Sequence, residues 1–285
     1  MPDKLLIENG QIVLTTEEGR KTKMPEDKLI EMLREEIQPP TDGIALPDGM
    51  KFIEWRSPFM CVVHQLPAHV RQLRWITDDS PMPFGPGATF QMRRLSIPYA
   101  ITFALFVKRG NGFSLMGYNE MYFRNEPLRS KDDKLGYPAL LNVSRIDIKT
   151  RKRAWICTQH LHCAPGTRWD DQLAALLNHT WNGAFNRSSE HHEGASWFGE
   201  SKGVHDNLHP VEKWEAASKQ DDTFALKVNW KPVPMNVGQL IDAMLTECQQ
   251  HANSSVPAVR RSKKKKPAAG LVARFMNRVQ QSIAK

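Results

Sequence analysis

Arg94-Leu-Ser-Ile-Pro-Tyr-Ala-Ile-Thr-Phe-Ala-Leu-Phe-Val-Lys108 and Phe113-Ser-Leu-Met-Gly-Tyr-Asn-Glu-Met-Tyr-Phe123 flank the short segment Arg109-Gly110-Asn111-Gly112. Both arms are rich in β-branched and aromatic residues, and Gly and Asn tolerate positive φ, so the spacing predicts a hairpin. Toward the N-terminus lie three shorter runs of the same kind: Lys51-Phe-Ile-Glu-Trp55, Phe59-Met-Cys-Val-Val-His64 and Val70-Arg-Gln-Leu-Arg-Trp-Ile76. Proline turns separate them, and a Pro/Gly loop spans 81–87. Together these runs predict an antiparallel meander. No Gly-rich phosphate loop follows any of them, which argues against a Rossmann or P-loop domain.

Further out, Leu5 to Leu14 alternates around Asn9-Gly10 and predicts a small hairpin. Pro25 to Ile37 predicts a helix, with Pro25 in its first turn and Leu29, Ile30, Leu33 and Ile37 on one face. Gln38-Pro39-Pro40 ends it, and 39–49 is Pro/Gly/Asp-rich like a linker. Beyond the meander, Arg124 to Asn142 is irregular and is followed by the apolar Ala154-Trp-Ile-Cys157. A helix is predicted over 167–185, with Thr167 as N-cap, Asp170 and Asp171 in the first turn, and Leu173, Leu176, Leu177, Thr180 and Trp181 on one face. Trp169, Trp181 and Trp197 read as packing residues. Two more helices are predicted, at Val211–Lys219 and Asn236–His251; Val237, Leu240, Ile241, Met244, Leu245 and Cys248 form the apolar stripe of the second.

With 285 residues, 40% of them hydrophobic and 25% charged, the composition is that of a globular chain and excludes collagenous, coiled-coil and wholly disordered classes. The longest apolar stretch, Ile97 to Val107, is about half of the roughly 20 residues a membrane span needs. The polar N-terminus predicts no secretory signal, and four sparse cysteines predict free thiols in a cytoplasmic protein. The net charge of +8 is unevenly placed. Residues 253–285 hold nine of the 39 basic residues and no acid, leaving 30 bases against 31 acids, a balance of −1, in 1–252. The body therefore carries no general nucleic-acid-binding charge. In the tail, Val272, Phe275, Met276, Val279 and Ile283 predict an amphipathic helix after a basic linker, suited to an anionic partner.

Four passages carry a family resemblance: Arg124-Asn-Glu-Pro-Leu-Arg-Ser-Lys-Asp-Asp-Lys-Leu135, Tyr137-Pro-Ala-Leu-Leu-Asn-Val143, Trp155-Ile-Cys157 and the helix led by Trp169. In this order the chain resembles the prokaryotic members of the ubiquitin-conjugating-enzyme superfamily, over roughly residues 90–190. The family's flap has His-Pro-Asn where this chain has Leu140-Leu-Asn142, and a tight turn where Arg145–Arg153 lies here. The resemblance implies an α+β, ubiquitin-conjugating-like fold: an antiparallel β-meander flanked by helices, with a basic helical C-terminal tail. The implied organisation is an N-terminal hairpin and helix over 1–44, the conjugating-like domain over 45–200, a helical part over 201–252 and the basic tail over 253–285.

The resemblance further implies that Cys157 accepts a ubiquitin-like modifier as a thioester from an activating enzyme and passes it to a lysine amine. Asn142 matches the flap asparagine that stabilises the oxyanion, and Tyr137 and Pro138 hold neighbouring flap positions. His160, His162 and Arg151-Lys152-Arg153 are cations able to lower a thiol pKa. Asp170 and Asp171 read either as dipole-complementing acids or as bases for the incoming amine. No cofactor, nucleotide or metal is implied, although Cys157-Thr-Gln-His160-Leu-His162-Cys163 also carries zinc-type ligands. The expected partners are a modifier protein and an activating-enzyme-like protein, in a bacterial setting linked to mobile elements or phage defence. Two other functions remain open: a non-catalytic scaffold of the same fold in which Cys157 is structural, and a basic-tailed nucleic-acid accessory protein.

Overall fold

The structure is a computed structural model that describes residues 4–8, 11–15, 21–25, 48–110, 112–158, 161–164 and 167–254. The chain forms two compact units, Met1–Asp48 and Gly49–Lys285. In the first, β1 (Lys4–Glu8), β2 (Gln11–Thr15) and β3 (Lys21–Pro25) make an antiparallel sheet in that order. Glu8 pairs with Gln11, as a two-residue hairpin at Asn9-Gly10 requires. Pro25, expected in the first turn of a helix, instead ends β3 opposite Gln11. This strand pairs on one side only, where a missing N–H is tolerated. The rest of the expected helix, 26–37, lies outside the described residues, as does the tail helix at 268–284.

The second unit is α+β, and its sheet is antiparallel in every strand pair. β4 (Met50–Arg56), β5 (Phe59–Leu66), β8 (Tyr99–Arg109) and β10 (Glu120–Arg124) lie side by side, followed by β13 (Lys152–Ile156) and β12 (Val143–Asp147). β9 (Gly112–Leu115) pairs with β8, while β11 (Lys134–Gly136) links β10 to β14 (Pro232–Asn236). β6 (His69–Ile76) and β7 (Phe90–Ile97) form a two-stranded ribbon.

That ribbon is the outer half of a single long hairpin. Phe59 pairs with Val107, Leu66 with Ala100, His69 with Ile97 and Ile76 with Phe90, so one register runs through both sheets. The ladder is interrupted only around Pro67 and Pro98, which cannot donate to it. The expected continuous strand over 94–108 is therefore two strands. The expected strand over 113–123 also breaks, at Met116–Asn119. There the Asn119 side chain takes the place of ladder bonds, its Oδ1 accepting from Leu105 N–H at 3.0 Å and its Nδ2 donating to the Met116 carbonyl at 2.7 Å.

Helices pack on this sheet. They are α1 (Trp169–Asn182), α2 (Ser188–His192), α3 (Trp197–Glu200), α4 (Val211–Gln220) and α5 (Val237–Ser254). α1 buries Leu173, Leu176, Thr180 and Trp181, and α5 buries its whole predicted stripe. Thr167 is not the N-cap of α1. Arg168 holds that position without a side-chain cap, and the Thr167 hydroxyl donates to the Ala164 carbonyl at 2.6 Å. Residues 201–252 share one core cluster with the meander. At Gly136 a Cβ would stand 2.4 Å from the Trp230 Cβ, so only glycine lets β14 lie this close to β11.

Candidate active site

The basic stretch between Asn142 and Cys157 folds as the hairpin β12–β13. Its ladder pairs Val143 with Ile156 and Asp147 with Lys152. Asn142 and Cys157 lie just outside the open end of this ladder, one residue before β12 and one residue after β13. The stretch thus lengthens the connection and brings the segments carrying Asn142 and Cys157 to the same end of one hairpin.

The last turn of α1 holds both residues. His179 Nε2 donates to the Cys157 carbonyl at 2.9 Å, and the Thr180 carbonyl accepts from Asn142 Nδ2 at 2.8 Å. Asn142 Oδ1 is buried and has no partner. Consecutive residues of one helix therefore tie down the ends of two adjacent strands. Thr180 is placed for this by a hydroxyl bond back to the Leu176 carbonyl at 2.8 Å. Cys157 is partly exposed, unlike Cys61 and Cys248, which lie in the core. Burial raises the Cys61 thiol far above its usual value and, as the largest influence, pushes the Cys248 thiol up to about 11, so both are inert neutral thiols.

Tyr137 and Pro138 are buried and anchor the flap from within. The Tyr137 ring stacks on Trp197 at 3.7 Å, its N–H donates to the Lys231 carbonyl at 2.8 Å, and its hydroxyl donates to the Lys152 carbonyl at 3.3 Å. Asp170 and Asp171 begin α1, nine and eight residues before His179, or roughly 12–13 Å along a helix rising about 1.5 Å per residue. They lie at the other end of the helix from the His179 bond to the Cys157 carbonyl. Asp170 is also engaged by Arg168 at 3.1 Å, a bond that holds its carboxyl below the usual range. His160 lies outside the described residues.

Arg151 and Arg153 do not supply free positive charge to Cys157. Arg151 donates to both oxygens of Glu120, at 2.5 and 2.7 Å, and to both oxygens of Glu247 at 3.2 Å. Arg153 also donates to Glu247, and the Tyr122 hydroxyl donates to Glu120 at 2.5 Å. Two cations and two anions thus neutralise one another inside the protein, between the sheet and α5. Burial disfavours the Arg151 charge, but attraction to Glu120 and its hydrogen bonds outweigh that and raise its pKa.

A cleft of about 650 Å³ opens beside Thr158, the residue after Cys157, between β9 and the loop leading to α1. Gln172 of α1 lines it, and its side-chain amide caps the outer edge of β9. Nε2 donates to the Phe113 carbonyl and Oε1 accepts from Leu115 N–H, both at 2.7 Å, as a neighbouring strand would. His179, Thr180, Gln172, Glu120 and Glu247 were not anticipated as parts of this neighbourhood. Only Glu120 gave a local signal, a lone acid before the apolar Met121-Tyr-Phe123. Among the described residues, no helix is long and apolar enough to cross a membrane, and no group of three or more His, Cys, Asp or Glu is placed to hold a metal ion. No protein-family model, curated protein or solved structure matches the chain.

Proposed function

We propose that this chain is a ubiquitin-conjugating-like acyl carrier with Cys157 as its nucleophile. The reading is supported by the β12–β13 hairpin, at whose open end both Asn142 and the partly exposed Cys157 lie, and by α1, which bonds to each of them. In this reading the Cys157 thiolate attacks the thioester joining a ubiquitin-like modifier to its activating enzyme, and the enzyme's thiolate leaves. A lysine amine then attacks the new thioester. The Cys157 thiolate departs, and the amine gives up its proton as the isopeptide bond forms. Asn142 Nδ2 has two protons. One is spent on Thr180, and the second is free to meet the negative charge that develops on the carbonyl oxygen. The cleft beside Thr158 offers room for the extended end of a modifier.

The test combines the chain with a modifier and activating enzyme encoded beside it, and ATP. The expected product is an adduct that a thiol reductant removes, that Cys157→Ala abolishes and that Cys163→Ala leaves intact. An adduct that survives reductant, or none from a verified active enzyme, rejects the carrier reading. A non-catalytic scaffold of the same fold is then favoured by the engagement of Asn142 with Thr180, which serves a structural role equally well.

A further inference from the structure

A second cavity, of about 310 Å³, opens where the end of β6, α2, α3 and the start of α4 meet. Its size falls at the lower end of the range for small-molecule sites, about 300–1,000 Å³. Trp75 and Ile76, both buried, form an apolar floor with Leu141 and Phe198. The rim carries charges of both signs. Glu190 is preset there, because Ser196 Oγ donates to its Oε1 at 2.8 Å while accepting from Gly199 N–H at 3.0 Å. A Cβ at Gly199 would stand 3.2 Å from that same Oε1, so the glycine gives the carboxylate its place.

Lys202 lines the same cavity, and among the described residues no carboxylate, Glu190 included, lies within ion-pair distance of it. Arg187 closes the rim through a 2.7 Å bond to Asp78. Glu190 and Lys202 therefore present opposite charges to one cavity without bonding to each other. A ligand with both an ammonium and a carboxylate satisfies the two together.

We infer that this cavity binds a free α-amino acid with an apolar side chain: its ammonium on Glu190, its carboxylate on Lys202, and its side chain over Trp75, Ile76 and Leu141. This inference does not depend on the carrier reading. It does bear on the same flap, because Leu141 immediately precedes Asn142.

Titration calorimetry on the full chain tests it, comparing L-leucine with isoamylamine, which lacks the carboxylate, and 4-methylpentanoate, which lacks the ammonium. Leucine should bind saturably, and either analogue should bind at least about tenfold more weakly. Lys202→Ala and Glu190→Gln should each weaken leucine by at least about tenfold as well. Lys202 is exposed, so its replacement should leave the melting temperature unchanged and keep the comparison clean. The inference is overturned by no saturable binding of leucine, methionine or phenylalanine. It is equally overturned by undiminished leucine binding in Lys202→Ala, or by an analogue that binds as tightly as leucine.

Discussion

Asn142 is held by one bond, from Nδ2 to the Thr180 carbonyl, which fixes the amide plane; in the proposed carrier role its second Nδ2 proton is the one that meets the oxyanion. Replacing Asn142 with Ala should therefore separate two steps. Thioester formation on Cys157 should proceed, whereas single-turnover discharge to lysine should slow about 10²-fold, the usual cost of losing one preplaced oxyanion donor. Glu247 makes a different argument at this scale. Burial raises its carboxyl, but the hydrogen bond from Arg153 and the charges of Arg151 and Arg153 prevail and hold it below its usual value of 4.5. A carboxyl lowered in the fold stabilises the protein fully above its unfolded value, about 4.3, and loses that contribution as the pH falls through the folded value. The urea midpoint should accordingly fall as acid is added below about pH 4.3. Glu247→Ala leaves two buried guanidinium groups sharing the single carboxylate of Glu120 and should cost about 3 kcal/mol in urea unfolding at neutral pH.

The elements divide into those that local patterning defines and those that neighbours interrupt. β4, α4 and α5 fall where alternation or an apolar stripe places them, and β5 and β6 where a short run of apolar and β-branched residues does; β5 is buried on both faces. The long hairpin arms break where the ladder lacks a donor, at Pro67 and Pro98, or where Asn119 substitutes for backbone. Proline positions are legible in a sequence. The continuing register across them is not, because it depends on the partner arm. β11 and β14 are short and meet across nearly a hundred residues, at a spacing that only Gly136 permits. Gly136→Ala should force β14 and Trp230 apart and lower stability by about 1–3 kcal/mol, as read in urea unfolding with an unchanged m-value.

At the scale of the second compact unit, one core cluster runs from Phe59 to Cys248. Residues 49–285 expressed alone should therefore unfold in one cooperative transition, with near- and far-ultraviolet circular dichroism giving the same midpoint. A chain that loses near-ultraviolet signal on removal of 1–48 would contradict this. Sequence alone determined the alternating and helical segments, the isolation of positive charge in 253–285 and the placing of Cys157 at the end of a strand. These follow from periodicity and composition, which act through neighbouring residues. Tertiary structure decided that Asn142 and Cys157 come to the same end of one hairpin and that Thr180 and His179 bond to them. It also decided that Arg151 and Arg153 turn inward to Glu120 and Glu247. Those contacts join residues up to 96 positions apart. They arise from strand register and helix docking, which no local run of residues encodes.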